Sequence, residues 1–101
     1  MAGHDREKNV ESYLRAKLNE LGLMVLKFLP DHSNGMPDRV VLLPGGRVVW
    51  VELKTEGGRL SEIQKYQHEI LRSHGQEVVV VWNKEQVGEL VWRIQQECQG
   101  S

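Results

Sequence analysis

Three ionisable residues near the middle of the chain, Asp38, Glu52 and Lys54, have the types and spacing for hydrolytic chemistry. They lie at the outer ends of two apolar runs, residues 39–43 and 47–53, that flank Pro44-Gly45-Gly46. Proline fixes φ and glycine tolerates φ > 0, so the pattern reads as a β-hairpin. If Leu43 closes the turn against Arg47, cross-strand partners sum to a constant index and Asp38 falls opposite Glu52. Their Cβ atoms would then lie about 5 Å apart. Lys54, two residues beyond Glu52, would share that face because strand side chains alternate. Both strands are apolar on both sides, with Val40, Leu42, Val48 and Trp50 beside the carboxylates and Val41, Leu43, Val49, Val51 and Leu53 opposite. Such strands are expected in the middle of a sheet covered by helices, which leaves the carboxylate pair partly desolvated. Close, desolvated carboxylates repel, so at neutral pH they share a proton, raise a pKa or find a cation. Lys54 supplies one positive charge, and a divalent metal is the natural second. Mg2+ suits oxygen ligands and keeps several waters, and a hard cation supplies the activated water and charge relief that phosphodiester hydrolysis requires. Lys54 fits charge neutralisation better than base catalysis, because neighbouring carboxylates keep a lysine protonated.

The elements that must hold these groups follow in chain order. Val10, Tyr13, Leu14, Leu18 and Leu21 recur at helical spacing over residues 5–21, with Gly22 as the stop. Glu7 and Glu11 border that stripe, about 45° and about 85° from its centre. Each is either an acid reaching into the site or a solvated helix-start acid favoured by the dipole. Residues 23–29 alternate as a first strand, with Met24, Leu26 and Phe28 on one face and Lys27 among Leu23, Val25 and Leu29 on the other. Lys27 reads first as an edge-strand charge and second as a cation aimed at the acids. Residues 30–34 form a polar loop in which His32 is a loop residue rather than a ligand. After the hairpin, residues 55–59 make a flexible loop, and Ser61 with Gln64 forms a capping box that opens a second helix. Leu60, Ile63, Gln67, Ile70 and Leu71 line its expected packed face and Gly75 ends it, with His68 and His74 placed at the surface and the helix end. The apolar run within residues 77–82 fits a buried central or parallel strand. Asn83 with Gln86 caps a last helix whose buried stripe is Val87, Leu90, Val91 and Ile94. Trp50, Trp82 and Trp92 read as packing residues rather than a base-stacking platform.

Composition bounds these readings. A chain of 101 residues, 40% apolar and 27% charged, is expected to form a single domain over residues 1–101 with one core. The apolar runs are strand-length and the polar start lacks a secretory signal, so no membrane partner and a cytoplasmic location in a bacterial or phage-infected cell are expected. The lone Cys98 agrees with a reducing compartment. A net charge of −1 argues against nucleic-acid binding by bulk electrostatics. A divalent cation on the acids would reverse that balance locally. No internal repeat, phosphate-binding Gly-rich loop, zinc-ligand spacing or Ser/His/Asp arrangement is apparent.

The order helix, strand, strand, strand, helix, strand, helix, with Pro37-Asp38 opening the second strand and Glu52-Leu53-Lys54 ending the third, resembles the PD-(D/E)xK nuclease superfamily. More closely it resembles the VRR-NUC family of virus-type replication-repair nucleases in its stand-alone, phage-type form. The likeness includes Glu7, Glu11, Lys27, Gly35-Met36-Pro37-Asp38-Arg39, Val51-Glu52-Leu53-Lys54, Gly58-Arg59-Leu60-Ser61 and Gln64. It implies an α/β, restriction-endonuclease-like α-β-β-β-α-β-α core with a mixed central sheet flanked by helices. Carried over by position, Asp38, Glu52 and the backbone carbonyl of Leu53 are metal ligands, Lys54 is the catalytic lysine, Gln64 is the helix glutamine, and Glu7 or Glu11 is the helix acid. The resemblance further implies Mg2+, with Mn2+ as substitute, and endonucleolytic cleavage of branched DNA such as a junction or flap, the alternatives being a non-catalytic nucleic-acid-binding or partner module that keeps the nuclease fold and an RNA-directed nuclease. A homodimer or larger assembly is expected, because so small a domain cannot span two junction arms, and a helicase is a candidate partner. Lys27, Arg39 and Arg59 are the candidate phosphate contacts.

Overall fold

The computed structural model describes residues 6–29 and 35–99. The expected loop at residues 30–34, with His32, lies outside the described residues. Helix α1 (Glu7–Glu20) buries Val10, Leu14 and Leu18, one per turn on a single face. It ends where Gly22 adopts φ +77. There the Gly22 and Leu23 amides donate to the carbonyls of Asn19 and Leu18, closing the helix end.

Four strands follow the expected scheme: β1 (Met24–Lys27), β2 (Arg39–Leu42), β3 (Val48–Leu53) and β4 (Glu77–Val81), in the spatial order β1-β2-β3-β4. The first three are antiparallel, and β4 joins β3 in parallel through α2 (Glu62–Ser73). The chain closes with α3 (Lys84–Gln99). This is the mixed sheet and α-β-β-β-α-β-α order of a restriction-endonuclease-like core.

The hairpin register is the expected one. Leu43 donates its amide to the Arg47 carbonyl at 2.8 Å around the tight Pro44–Gly46 turn. Arg39 pairs with Val51 and Val41 with Val49, which sets Asp38 opposite Glu52 at the next step. Both caps form as read. Ser61 and Gln64 make a reciprocal capping box, and Asn83 Oδ1 accepts from the Gln86 amide at 2.9 Å.

The two faces of the sheet differ more than the sequence suggests. On one, Val25, Val41, Leu43, Val49, Val51, Leu53 and Val81 form the core with α1 and α3. The other is covered by α2 over its β4 side, where Arg72 Nη2 donates to the Val78 carbonyl at 3.1 Å. Over β1 and β2, Met24 is 56% exposed, and Leu26 and Leu42 are also exposed. The expectation that helices cover both hairpin faces is thus correct for one face and half correct for the other. A second correction concerns α2, which turns Ile63 and Ile70 outward and buries only His68. Of its expected stripe Leu60, Gln67 and Leu71 are half-buried, and the packed face is shifted toward His68. Trp92, expected in packing, is 64% exposed on α3. Among the described residues no helix is long and apolar enough to cross a membrane.

Candidate active site

The candidate site lies at the end of β2 and β3 remote from the turn, under the N-terminal half of α2. Glu52 stands on β3 beside Val80 of β4. It is only 4% exposed. From α2, Gln64 Nε2 approaches Glu52 Oε2 at 3.4 Å, while its Oε1 accepts from the Ser61 amide at 2.8 Å. One side chain therefore both caps the helix and faces the acid. Burial, reinforced by the charge of Asp38 and then opposed by Lys54, pushes the Glu52 pKa up to about 7. Lys54 follows directly, its amide bonded to the Val81 carbonyl at 2.9 Å, which extends the β3–β4 ladder by one step.

Asp38 is positioned by a short segment with little freedom. Pro37 is fully buried. Gly35 has φ +85, and a Cβ built there would fall 2.7 Å from the Ile63 carbonyl oxygen. Only glycine allows the backbone to pass that close to the start of α2. The same contact ties the strand carrying Asp38 to the helix carrying Gln64. The Asp38 carbonyl accepts from the Phe28 amide at 2.9 Å. Arg39 Nη1 lies 3.5 Å from Asp38 Oδ2, leaving Oδ1 buried without a hydrogen-bond partner.

The remaining sequence candidates are distributed unevenly. Glu11 is held by Arg15 Nη2 at 2.7 Å and by Arg39 Nε at 3.2 Å. Burial raises its pKa, but these two guanidinium groups outweigh burial and hold it below the usual carboxylate value. Glu7 is exposed at the start of α1. Its charge contributes to raising the Glu52 pKa. Of the two helix acids, Glu11 is bound by Arg15 and Arg39, and the charge of Glu7 acts on Glu52. Leu53 is buried at the end of β3, so its backbone carbonyl is the only part that could meet a cation. Arg39 is itself nearly buried, bridging Glu11 and Asp38. Lys27, its pairing partner on β1, and Arg59, in the loop before α2, are exposed.

His68 is the site residue the sequence reading missed, having placed it at the surface. It is 1% exposed, with Nε2 3.5 Å from Glu52 Oε1. Burial, with Arg72 next in weight, pushes its pKa down. The signal available in sequence was spacing, since Gln64 and His68 stand four apart and so share a helix face.

A divalent cation fits these residues. Asp38 Oδ1 and Glu52 Oε1 are buried oxygens with no hydrogen-bond partner, and a buried acceptor in that state is costly unless something donates to it or coordinates it. Among the described residues no three acid, histidine or cysteine side chains are gathered closely enough to share a metal. Two carboxylates nevertheless suffice for Mg2+, which keeps much of its water shell.

A restriction-endonuclease-like core with a cross-strand acid pair and a lysine two residues on defines a nuclease-class domain. Comparison with known proteins gives the family. The VRR-NUC domain family matches residues 3–84, and the chain belongs to it. It is 33% identical over 76 residues to "Putative nuclease p44" of Acyrthosiphon pisum secondary endosymbiont phage 1, covering 75% of this chain and 82% of that protein. A solved structure titled "VRR_NUC domain" superposes with a TM-score of 0.79 at 34% identity, over 84% of this chain and 92% of the other.

Proposed function

We propose that this protein is a Mg2+-dependent endodeoxyribonuclease that cuts branched DNA, such as a four-way junction or a flap, with Mn2+ able to substitute. The observation that carries the reading is the pair of buried, unpartnered carboxylate oxygens on Asp38 and Glu52 beside Lys54. Family membership agrees with it.

Asp38, Glu52 and the Leu53 carbonyl would hold the ion, with Glu7 closest in character to a further acid. When bound, Mg2+ supplies Lewis acidity at a phosphate oxygen and a more acidic water. The chain's own residues do the rest. Lys54 places an ammonium beside the acids, where it neutralises charge building on the phosphate and the departing oxygen. Gln64, anchored by the capping box, orients Glu52. Exposed Lys27 and Arg59 are the candidate contacts to DNA phosphates, and Arg39 would reach a phosphate only by leaving Glu11 or Asp38. The test is cleavage of labelled duplex, single-stranded, flap and junction DNA, with RNA counterparts, with and without Mg2+. Metal-dependent cutting of branched DNA, abolished by Glu52→Ala, is expected. No cutting, cutting of RNA alone, or cutting by Glu52→Ala would reject the proposal.

A homodimer is the assembly proposed. The support is size together with the uncovered sheet face, where cross-strand partners Met24 and Leu42 remain exposed. Sedimentation should give a dimer that Met24→Glu weakens at least about tenfold. A monomer that still resolves junctions contradicts it.

A further inference from the structure

Helix α2 brings to Glu52 a second group that neither its capping box nor apolar packing explains. His68 is the one buried residue of α2. Its Nε2 lies 3.5 Å from Glu52 Oε1, while Gln64 Nε2, one turn earlier, lies 3.4 Å from Glu52 Oε2. The two α2 side chains thus address the two oxygens of one carboxylate separately. Neither ring nitrogen of His68 has a hydrogen-bond partner, and neither has Glu52 Oε1. Leaving such groups unsatisfied in a buried place is costly, so packing alone would be served better by leucine or phenylalanine. Only a role that needs a donor at this point accounts for imidazole.

We propose that His68 is a positioning residue for Glu52: as a neutral imidazole protonated on Nε2 it faces Oε1 and, with the Gln64 amide on Oε2, fixes the plane of the carboxylate. Each carboxylate oxygen has two lone pairs, so one on each remains for a cation. Groups that orient a ligating carboxylate in this way tune affinity without touching the ion. Gln64 and His68, four residues apart on a helix tied at its start to Gly35, form one rigid clamp on the acid. The inference rests on the reading of Asp38 and Glu52 as the pair that holds the ion.

Two variants and one spectrum test it. His68→Phe keeps a ring and removes the donor, whereas His68→Gln restores an N–H donor at similar reach. Calorimetric titration of each with Mg2+, without DNA, should show His68→Phe weakened about 10- to 100-fold, with His68→Gln within several-fold of the unaltered protein. In cleavage, His68→Phe should lose kcat at limiting Mg2+, recover in part at high Mg2+, and keep its KM for DNA. Nitrogen-15 NMR of the metal-free, unaltered protein at mildly alkaline pH should show the Nε2–H tautomer of His68. The proposal is overturned by wild-type Mg2+ affinity and kcat in His68→Phe, by equal loss in both variants, or by an Nδ1–H tautomer. The spectrum decides the Glu52 contact even if a variant fails to fold. If the unaltered protein shows that tautomer but binds no Mg2+, the metal reading fails, and the clamp as proposed fails with it.

Discussion

Glu11 on α1 and Glu52 on β3 are the same residue type, and they have opposite fates. Glu11 receives two guanidinium groups, Arg15 at 2.7 Å and Arg39 at 3.2 Å, and its pKa is lowered. Glu52 is more deeply buried, faces Asp38, and has a pKa near 7 with one oxygen unpartnered. Among the described residues, Glu11 is ion-paired within the fold, whereas Glu52 faces no guanidinium and has only Gln64 at 3.4 Å and His68 at 3.5 Å beside its two oxygens. On the proposed reading the contrast separates a structural acid from a functional one, since buried, perturbed and unpartnered carboxylates concentrate where a ligand or reaction uses them.

The largest effect expected from this contrast is catalytic. Glu52→Gln should lower the cleavage rate by about 100- to 1000-fold, roughly 3–4 kcal/mol, while Glu11→Gln should stay within several-fold. Steady-state cleavage of a labelled flap or junction checks both. Next comes the tie between Asp38 and α2. Gly35→Ala would place a Cβ 2.7 Å from the Ile63 carbonyl oxygen at φ +85. It should cost about 2–3 kcal/mol in urea unfolding and reduce cleavage with it. Unchanged stability would show that Asp38 is not held by this contact.

The two acids should also separate in stability, with opposite signs. Glu11→Gln leaves the nearly buried Arg39 with Asp38 as its one carboxylate partner and should destabilise by about 1–3 kcal/mol. Glu52→Gln should instead stabilise the metal-free protein at alkaline pH, by about 1–2 kcal/mol. The Glu52 carboxyl binds its proton more tightly folded than unfolded, its pKa pushed up to about 7 from the ordinary carboxylate range. Its contribution is full below the unfolded value and is lost as pH rises through about 7. The advantage of Glu52→Gln should therefore appear above neutrality and vanish in mild acid, as followed by thermal unfolding across pH. A destabilised Glu52→Gln at alkaline pH would place Glu52 with Glu11 as a structural acid.

Much of the hairpin was legible because few geometries were open to it. Pro44-Gly45-Gly46 permits a tight turn, the turn fixes register, and register alone sets Asp38 against Glu52. The caps at Ser61 and Asn83 were legible for the same local reason, each needing only its own side chain and one three residues on. The face of α2 was not. Periodicity locates the apolar stripe, on the assumption that apolar residues face inward. A helix lying over a polar site reverses that assumption, so Gln64 and His68 turn toward Glu52 while Ile63 and Ile70 stay in solvent. Met24 and Leu26 misled in the same way, since alternation shows which residues share a face and not whether another element covers it. The pairing of Glu11 with Arg39 needed tertiary information as well, because the two residues are distant in sequence.

Calorimetric titration of the metal-free protein with Mg2+ near neutral pH, compared with Glu52→Gln and Glu11→Gln, addresses the central claim most directly. The unaltered protein and Glu11→Gln should bind Mg2+ with release of a proton from the Glu52 site, as read from the dependence of the heat on buffer ionisation, and Glu52→Gln should bind at least about tenfold more weakly with no such release. Equal binding by Glu52→Gln, or loss of binding in Glu11→Gln alone, would contradict the account.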